Sequence, residues 1–512
     1  MLMIQPDCAR TETDYRLALA ACLGALLALR LAGLYAADTD RVFDEAQYWG
    51  WSRKLDFGYF SKPPMIAWLI RATSAICGDG EACIRAASPV LYSFAAVMPY
   101  LTGRALYDAR IGFWSAIVFA TLPGLSYSTN LITTDVPLIL FWTIMLYAWA
   151  MLVERRSMGL AVLLGVAIGL GLLAKQAMIY AVLCIACHVA VSREAREALQ
   201  GGRGLVAGAI ALALFSSNLI WNAEHGFPTA RHNAANIGWQ FPYIHPLQLL
   251  QFIGAQFGVF GPILFVVLLR GAWREFRVPS DSGKVLLLAF SLPVLVLLAM
   301  QAMLSRAHAN WGATAYPAAS IFVTAVLLQL NRQMLFRISL GLHLAFAVAL
   351  AAAPAFARQW PVFERFKFTA SVLGWREASE AVQARLGEEH YGSLLVDSRE
   401  AASELLYYLR DVSVPLYVWP SSGAPKNHYE MTRPFGAAAP EPVLFVSLTG
   451  GLPRFDQAFG SVTALGSERV VLVRDAARVL HFCRLADYKQ APSARRAAAL
   501  RACWRRPERR RP

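Results

Sequence analysis

Residues 41–68 read RVFDEAQYWGWSRKLDFGYFSKPPMIAW and follow closely on the first long apolar run, Leu17 to Ala36. The stretch crowds Asp44, Glu45, Asp56, Arg53, Lys54 and Lys62 among Tyr48, Trp49, Trp51, Phe57, Tyr59 and Phe60. Neither a bilayer interior nor an ordinary short connector takes such a mixture. Alternating charges and aromatics suit a pocket at a membrane surface that holds an anionic, partly apolar substrate.

The rest of the chain supplies that membrane. Of its 512 residues 57% are hydrophobic and 16% charged, and the mean hydropathy is +0.42. These values lie on the apolar side of soluble domains, so the chain reads as an integral membrane protein. The net charge of +14 does not indicate nucleic acid, because many Lys and Arg sit in short connectors between apolar runs, where they act as topology signals. Leu17 to Ala36 is long enough to span and lacks a small-residue cleavage site, so it is expected to stay as an anchor.

Hydropathy predicts about eleven spans of bilayer length. They lie near residues 17–36, 85–103, 111–128, 135–153, 159–174, 177–191, 204–221, 248–269, 285–303, 313–330 and 338–355. Basic residues fall on alternate connectors, among them Arg104 and Arg110, Arg155 and Arg156, Arg270 and Arg274, and Arg332 and Arg337. The positive-inside rule makes those connectors cytoplasmic. Residues 38–84, the connector before Asp135, Lys175, the loop carrying His225, His232 and His245, and Ser305 to Asn310 then face outward.

After Ala355 the pattern becomes that of a small α/β domain, residues 356–490. Helices are expected over Gly374–Glu389 and Arg399–Arg410, and strands at SLLVDS, PLYVW, PVLFVSL and RVVLVRD. Residues 491–512 form a basic tail, read as a solvated end or a segment drawn to anionic headgroups. Residues 1–355 make up the membrane domain, with 38–84 as its catalytic loop. Cys77 and Cys83 share that loop, and a local disulfide is expected there if the compartment is oxidising. The CxxC of Cys184 and Cys187 falls in an apolar run and reads as buried thiols.

Three groups of residues carry possible chemistry. Asp44 and Glu45 either cap the helix that follows or supply a general base that takes the proton of an attacking hydroxyl. Asp135, in LITTDVPLILFW, heads a span and is either an N-cap or an acid that orients a cation or a sugar hydroxyl. Lys62, Lys175, Arg306 and His308 are outward cations. Singly each would reach for headgroups; together with the acids they suit a phosphate leaving group. Tyr48, Trp49, Tyr59 and Asn310 are expected to line the substrate. The irregular spacing of the three loop histidines gives no metal site, and the Walker and glycine-rich nucleotide fingerprints are absent.

DEAQYWGWS, FGYFSKPP and TTDVPL, in this order after an N-terminal span, resemble the polyprenol-phosphate-sugar glycosyltransferases. This superfamily, glycosyltransferase family 39 and its kin, includes protein O-mannosyltransferases, the lipid A aminoarabinose transferase and rhizobial lipopolysaccharide galacturonosyltransferases. The likeness covers roughly residues 15–355. It implies a polytopic α-helical GT-C fold, amphipathic helices in the first outer loop near Trp49–Leu55 and Trp68–Ile76, a lipid monophosphate sugar donor and inversion at the anomeric carbon. Asp44 then matches the first-loop acid, Lys62 the cation near the donor phosphate, and Asp135 the second acid. Ser61 stands where the aminoarabinose transferase has an acid, which loosens the transfer of that sugar specificity. No outer-loop sugar-binding repeat is visible, so a lipopolysaccharide, lipid A or other envelope glycolipid acceptor is expected before protein.

The expected setting is the bacterial inner membrane, with the site and the C-terminal domain periplasmic. No cofactor is firmly required, and a divalent cation stays open. The competing readings are a protein O-glycosyltransferase, a flippase or transporter of lipid-linked sugars, and an assembly scaffold. A transporter would place its ionisable residues near the midplane of broken helices, whereas these cluster at one face.

Overall fold

The structure is a computed structural model and describes residues 11–238, 244–278, 281–359, 369–421, 424–450, 455–473 and 476–489. Two compact units emerge from the packing. The first contains Met1–Ala36, Asp56–Gly58 and Lys62–Pro354; the second contains Ala37–Leu55, Tyr59–Ser61 and Ala355–Pro512. The first outer loop is thus divided, and the segment bearing Asp44 and Glu45 folds with the C-terminal sheet.

Among the described residues of the first unit, seven helices are long and apolar enough to cross a membrane, or eight if one bent pair counts as a span. The estimate of about eleven also counted the shorter apolar helices Ala109–Thr121 and Met158–Ala174 and the segment Gln176–Val191. These are shorter than the other seven, and the count of about eleven is not confirmed by helix length and composition. The bent pair, Pro246–Phe260 and Pro262–Arg277, turns by 112° at Gly261, whose φ of 93° suits glycine. A Cβ at Gly261 would lie 2.1 Å from the His343 ring. Side chains confirm the apolar setting: the helix Arg203–Glu224 leaves Leu205, Leu212, Leu219 and Ile220 exposed, the reverse of a soluble surface.

Local chemistry sets the helix ends. Asp108 accepts from the Ile111 amide at 2.7 Å and Asp281 from the Gly283 amide at 2.8 Å, each capping the helix it precedes. Helix contacts rely on small residues, as at Gly165, where a Cβ would lie 2.5 Å from the Ala207 carbonyl oxygen. Cys77 and Cys83 form the expected disulfide, with Cα atoms 5.8 Å apart. Cys184 and Cys187 are free.

The second unit is built on a five-stranded mixed sheet. Its strands are β1 (Ser393–Val396), β2 (Leu416–Val418), β3 (Val443–Ser447), β4 (Phe459–Val473) and β5 (Ala476–Tyr488), in the order β2-β1-β3-β5-β4. β1 is parallel to β2 and β3, with Leu395 beside Tyr417 and Phe445. β5 is antiparallel to β3 and β4. Alternation along the strands fills both faces: Leu394, Val396, Leu444 and Phe482 pack under the helices Trp375–Glu388 and Arg399–Tyr408, and Leu395, Phe445, Cys483 and Leu485 pack on the other side. β5 escapes a reading by apolar runs because Arg478, His481 and Arg484 interrupt it. The basic tail, 491–512, lies outside the described residues.

Candidate active site

In the first unit, Asp135 begins the helix Asp135–Arg155. Pro137 follows within the first turn, where its missing N–H removes no intrahelical bond, and the helix N-terminus favours a carboxylate. Lys175 lies at the break between the helix Met158–Ala174 and the 3-10 turn Gln176–Ile179, with extended backbone (φ −160°, ψ 137°). Its Nζ donates to Asp135 Oδ1 at 2.7 Å, while Asn310 Nδ2 donates to Asp135 Oδ2 at 2.9 Å. Both carboxylate oxygens are therefore engaged. The side chains of Asp135 and Lys175 are 12% and 16% exposed, so the pair attracts more strongly than it would in water.

Asn310 belongs to the 3-10 turn Ala309–Ala315. Buried Gln256 steadies that turn by donating to the Ala309 carbonyl at 3.4 Å and accepting from the Tyr316 hydroxyl. An ammonium has three donors; Asp135 occupies one on Lys175 and orients the others. Arg306 is exposed just upstream. His308 stands edge-on to Trp311, with ring centroids 5.1 Å apart. Desolvation first, then the charges of Arg306 and Lys175, hold its imidazole below the ordinary range. Near neutral pH His308 is thus a neutral hydrogen-bonding group, not a fourth cation. Lys62 is half-buried, with Pro63 and Pro64 buried behind it at the start of the helix Met65–Cys77.

In the second unit the acid pair separates into two environments on the helix Phe43–Arg53. Glu45 is buried at 1% exposure, and its Oε2 accepts from the Val42 amide at 3.1 Å, which closes the helix N-terminus. The Asp44 side chain is 44% exposed, with Oδ1 3.5 Å from Arg399 Nη2. Arg399 begins the helix Arg399–Tyr408, and its guanidinium lies 4.6 Å over the Phe43 ring. Sequence reasoning missed Arg399 because only tertiary folding brings it to Asp44.

Other bonds fix this segment to the sheet unit. Buried Asp40 donates its amide to Val372 O at 2.8 Å and accepts from the Trp375 amide at 2.7 Å. Arg358 pairs with Asp38 at 3.2 Å, with Asp40 at 3.4 Å and with Glu377. Glu404, fully buried in the helix after β1, is pushed well above the usual carboxylate range by burial, with Arg41 pulling the other way. Tyr48, Trp49 and Tyr59, expected to line the substrate, are instead packed inward at 3–5% exposure. Trp49 meets the Tyr407 ring edge-on at 4.8 Å, Tyr48 lies 5.2 Å from Trp51, and Tyr59 stacks on Trp51 at 4.5 Å.

Residues 61–221 match the family described as dolichyl-phosphate-mannose-protein mannosyltransferase. The lipid A galacturonosyltransferase RgtD of Rhizobium johnstonii is 34% identical over 410 residues, 80% of this chain and 86% of the relative. This chain belongs to that glycosyltransferase family. A second relative from the same organism, the lipopolysaccharide core galacturonosyltransferase RgtA, is 27% identical over 35% of this chain and 36% of its own length.

Among solved structures, ArnT from Cupriavidus metallidurans bound to undecaprenyl phosphate matches with a TM-score of 0.61 and 16% identity. It covers 92% of this chain and 98% of its own. The Archaeoglobus fulgidus oligosaccharyltransferase in complex with Zn and sulfate matches with a TM-score of 0.51 and 14% identity, over 86% of this chain and 72% of that one. These two likenesses establish a GT-C-like fold. The protein is a multi-pass membrane glycosyltransferase, as the motifs around Asp44, Lys62 and Asp135 suggested.

Proposed function

We propose that this glycosyltransferase moves a galacturonosyl residue from a polyprenyl-phosphate carrier to a hydroxyl of lipid A, on the outer face of the bacterial inner membrane. The observation that carries the reading is the Lys175–Asp135–Asn310 group, in which buried Asp135 fixes an ammonium at a break between apolar helices. Such a group suits a lipid phosphate leaving group, because preorganised cations stabilise charge as it develops. The likeness to RgtD supports the sugar and the acceptor. Counting the three shorter apolar segments as spans gives eleven crossings, and with the basic connectors inside, the C-terminal unit lies outside.

In this mechanism Asp44 takes the proton of the acceptor hydroxyl as its oxygen attacks the anomeric carbon. The bond from that carbon to the phosphate oxygen breaks with inversion, giving the glycoside and the polyprenyl phosphate. Lys62 and Lys175 stabilise the departing phosphate, and Arg306 and His308 contribute a cation and a hydrogen bond. Glu45 holds the helix that carries Asp44.

The test is purified protein supplied with polyprenyl-phosphate galacturonic acid and lipid A, beside lipid A analysed by mass spectrometry from cells with and without the gene. Transfer in vitro and loss of a hexuronic acid from the cellular lipid are expected. Use of a nucleotide-sugar donor, or an unchanged lipid A profile, overturns the reading.

A further inference from the structure

A cavity of about 830 Å³ opens in the first unit between the helices Pro262–Arg277, Tyr316–Gln329 and Gln333–Ala352. Arg270, Arg274 and Arg332 line it, together with Lys284 and Glu275. Lys284 and Glu275 offset one another, with Nζ and Oε1 3.6 Å apart. The three arginines make no side-chain ion pair or hydrogen bond among the described residues. Arg270 and Arg274 are one helical turn apart and share a face. Arg332 precedes the helix Gln333–Ala352, whose N-terminus has no side-chain cap, so its free amides add to the positive field.

The remaining walls are apolar. Leu330, Met334 and Ile338 line the cavity and are exposed, as are Trp273 and Phe276 on the arginine-bearing helix. Aromatic and basic side chains mixed in this way mark the headgroup level of a membrane. The span Ala309–Gln329 places the cavity relative to the Asp135 group: Asn310 binds Asp135 at one end, and Gln329 lines the cavity at the other. Twenty-one residues cover roughly 30 Å, the thickness of a bilayer core.

We propose that this cavity binds the phosphate of an anionic glycerophospholipid in the leaflet opposite the Asp135 group, with the acyl chains along the exposed apolar helices. Three unpaired guanidinium groups match a phosphate by charge and by hydrogen-bond geometry, and basic pockets between transmembrane helices hold such headgroups. The site does not depend on the identity of the sugar or the acceptor.

Native mass spectrometry of the full-length protein, titrated with phosphatidylglycerol or phosphatidylcholine, tests this. Phosphatidylglycerol should be retained and phosphatidylcholine should not. The variant R270Q/R274Q/R332Q should bind phosphatidylglycerol roughly 100-fold more weakly, at about fivefold per arginine. The control R110Q/R155Q/R193Q removes the same charge at other connectors and should bind nearly as wild type. The single variant Arg274→Gln, about fivefold weaker, gives the same reading if the triple variant fails to fold. Equal losses in the cavity and control variants, or no loss in the cavity variants, overturn the proposal. Displacement of the lipid by an equal concentration of inorganic phosphate overturns the lipid assignment.

Discussion

The ion pair of Lys175 with Asp135 should act as one unit in catalysis, and a double-mutant cycle measures this. At 2.7 Å and an effective dielectric constant of about 20, the attraction is about 6 kcal/mol before desolvation is subtracted. Removing one partner of a buried pair typically costs about 3–5 kcal/mol, because the other charge is left buried and alone. With 12% and 16% of the two side chains exposed, the lower end, about 3 kcal/mol, is expected here. Because each change removes or misplaces the ammonium that meets the developing phosphate charge, Lys175→Met and Asp135→Asn should also each lower kcat/KM by at least about 100-fold. The double variant should be no worse than the poorer single one, a coupling of about 3 kcal/mol. Initial rates with varied lipid-linked donor give kcat/KM, and thermal unfolding in detergent reports stability. Multiplicative losses in the double variant would falsify the coupling. Variants that are less stable but fully active while folded would make the pair structural only.

Four further outcomes are expected. Asp44→Asn should slow turnover by about a hundredfold to ten-thousandfold with donor binding preserved; near-normal turnover of the folded variant removes the base role, since Asn keeps the shape and loses the basicity. Arg399→Gln should lower kcat by about tenfold, with partial rescue by Arg399→Lys; an unchanged kcat, or equal losses for Gln and Lys, means that the arginine does not act through Asp44. Lys62→Ala should raise KM for the donor, with Lys62→Arg restoring it only in part, and an unaltered donor dependence excludes that contact. His428 is held to about 3 by burial first, then by the charges of Arg433 and Lys54, and it packs edge-on to Trp51 and Tyr59. Its folded value lies below the ordinary 6.5, so the unfolded chain binds the extra proton and stability falls as pH drops from about 6.5 towards 3, by about 2 kcal/mol at pH 5. His428→Phe should flatten that acid loss in thermal unfolding curves, and an unchanged slope between pH 7 and pH 5 refutes it.

The membrane class was legible in the sequence because each span must satisfy its own backbone hydrogen bonds and present apolar side chains to lipid, which leaves long uninterrupted runs. The same applies to Asp135 and Lys175, since ionisable groups at the ends of such runs are costly enough to stand out. The number of crossings was less legible: the apolar run 248–269 is bent by 112° at Gly261, and three other runs yield helices shorter than the seven clear spans. β4 was seen only in part, and β5 was passed over because its polar positions hide a one-sided alternation.

The sequence by itself determined a multi-pass glycosyltransferase with acids and cations at the ends of its apolar runs, because those residue types carry their cost and their chemistry wherever they sit. Only the tertiary structure decided how they are used. It gave Asp135 two partners from distant segments, Lys175 and Asn310, and separated buried, capping Glu45 from half-exposed Asp44 beside Arg399. It also turned Tyr48, Trp49 and Tyr59 inward. The physical reason is that adjacent side chains on a helix point in different directions, so a motif fixes the inventory of groups while long-range packing sets the solvation and partner of each one.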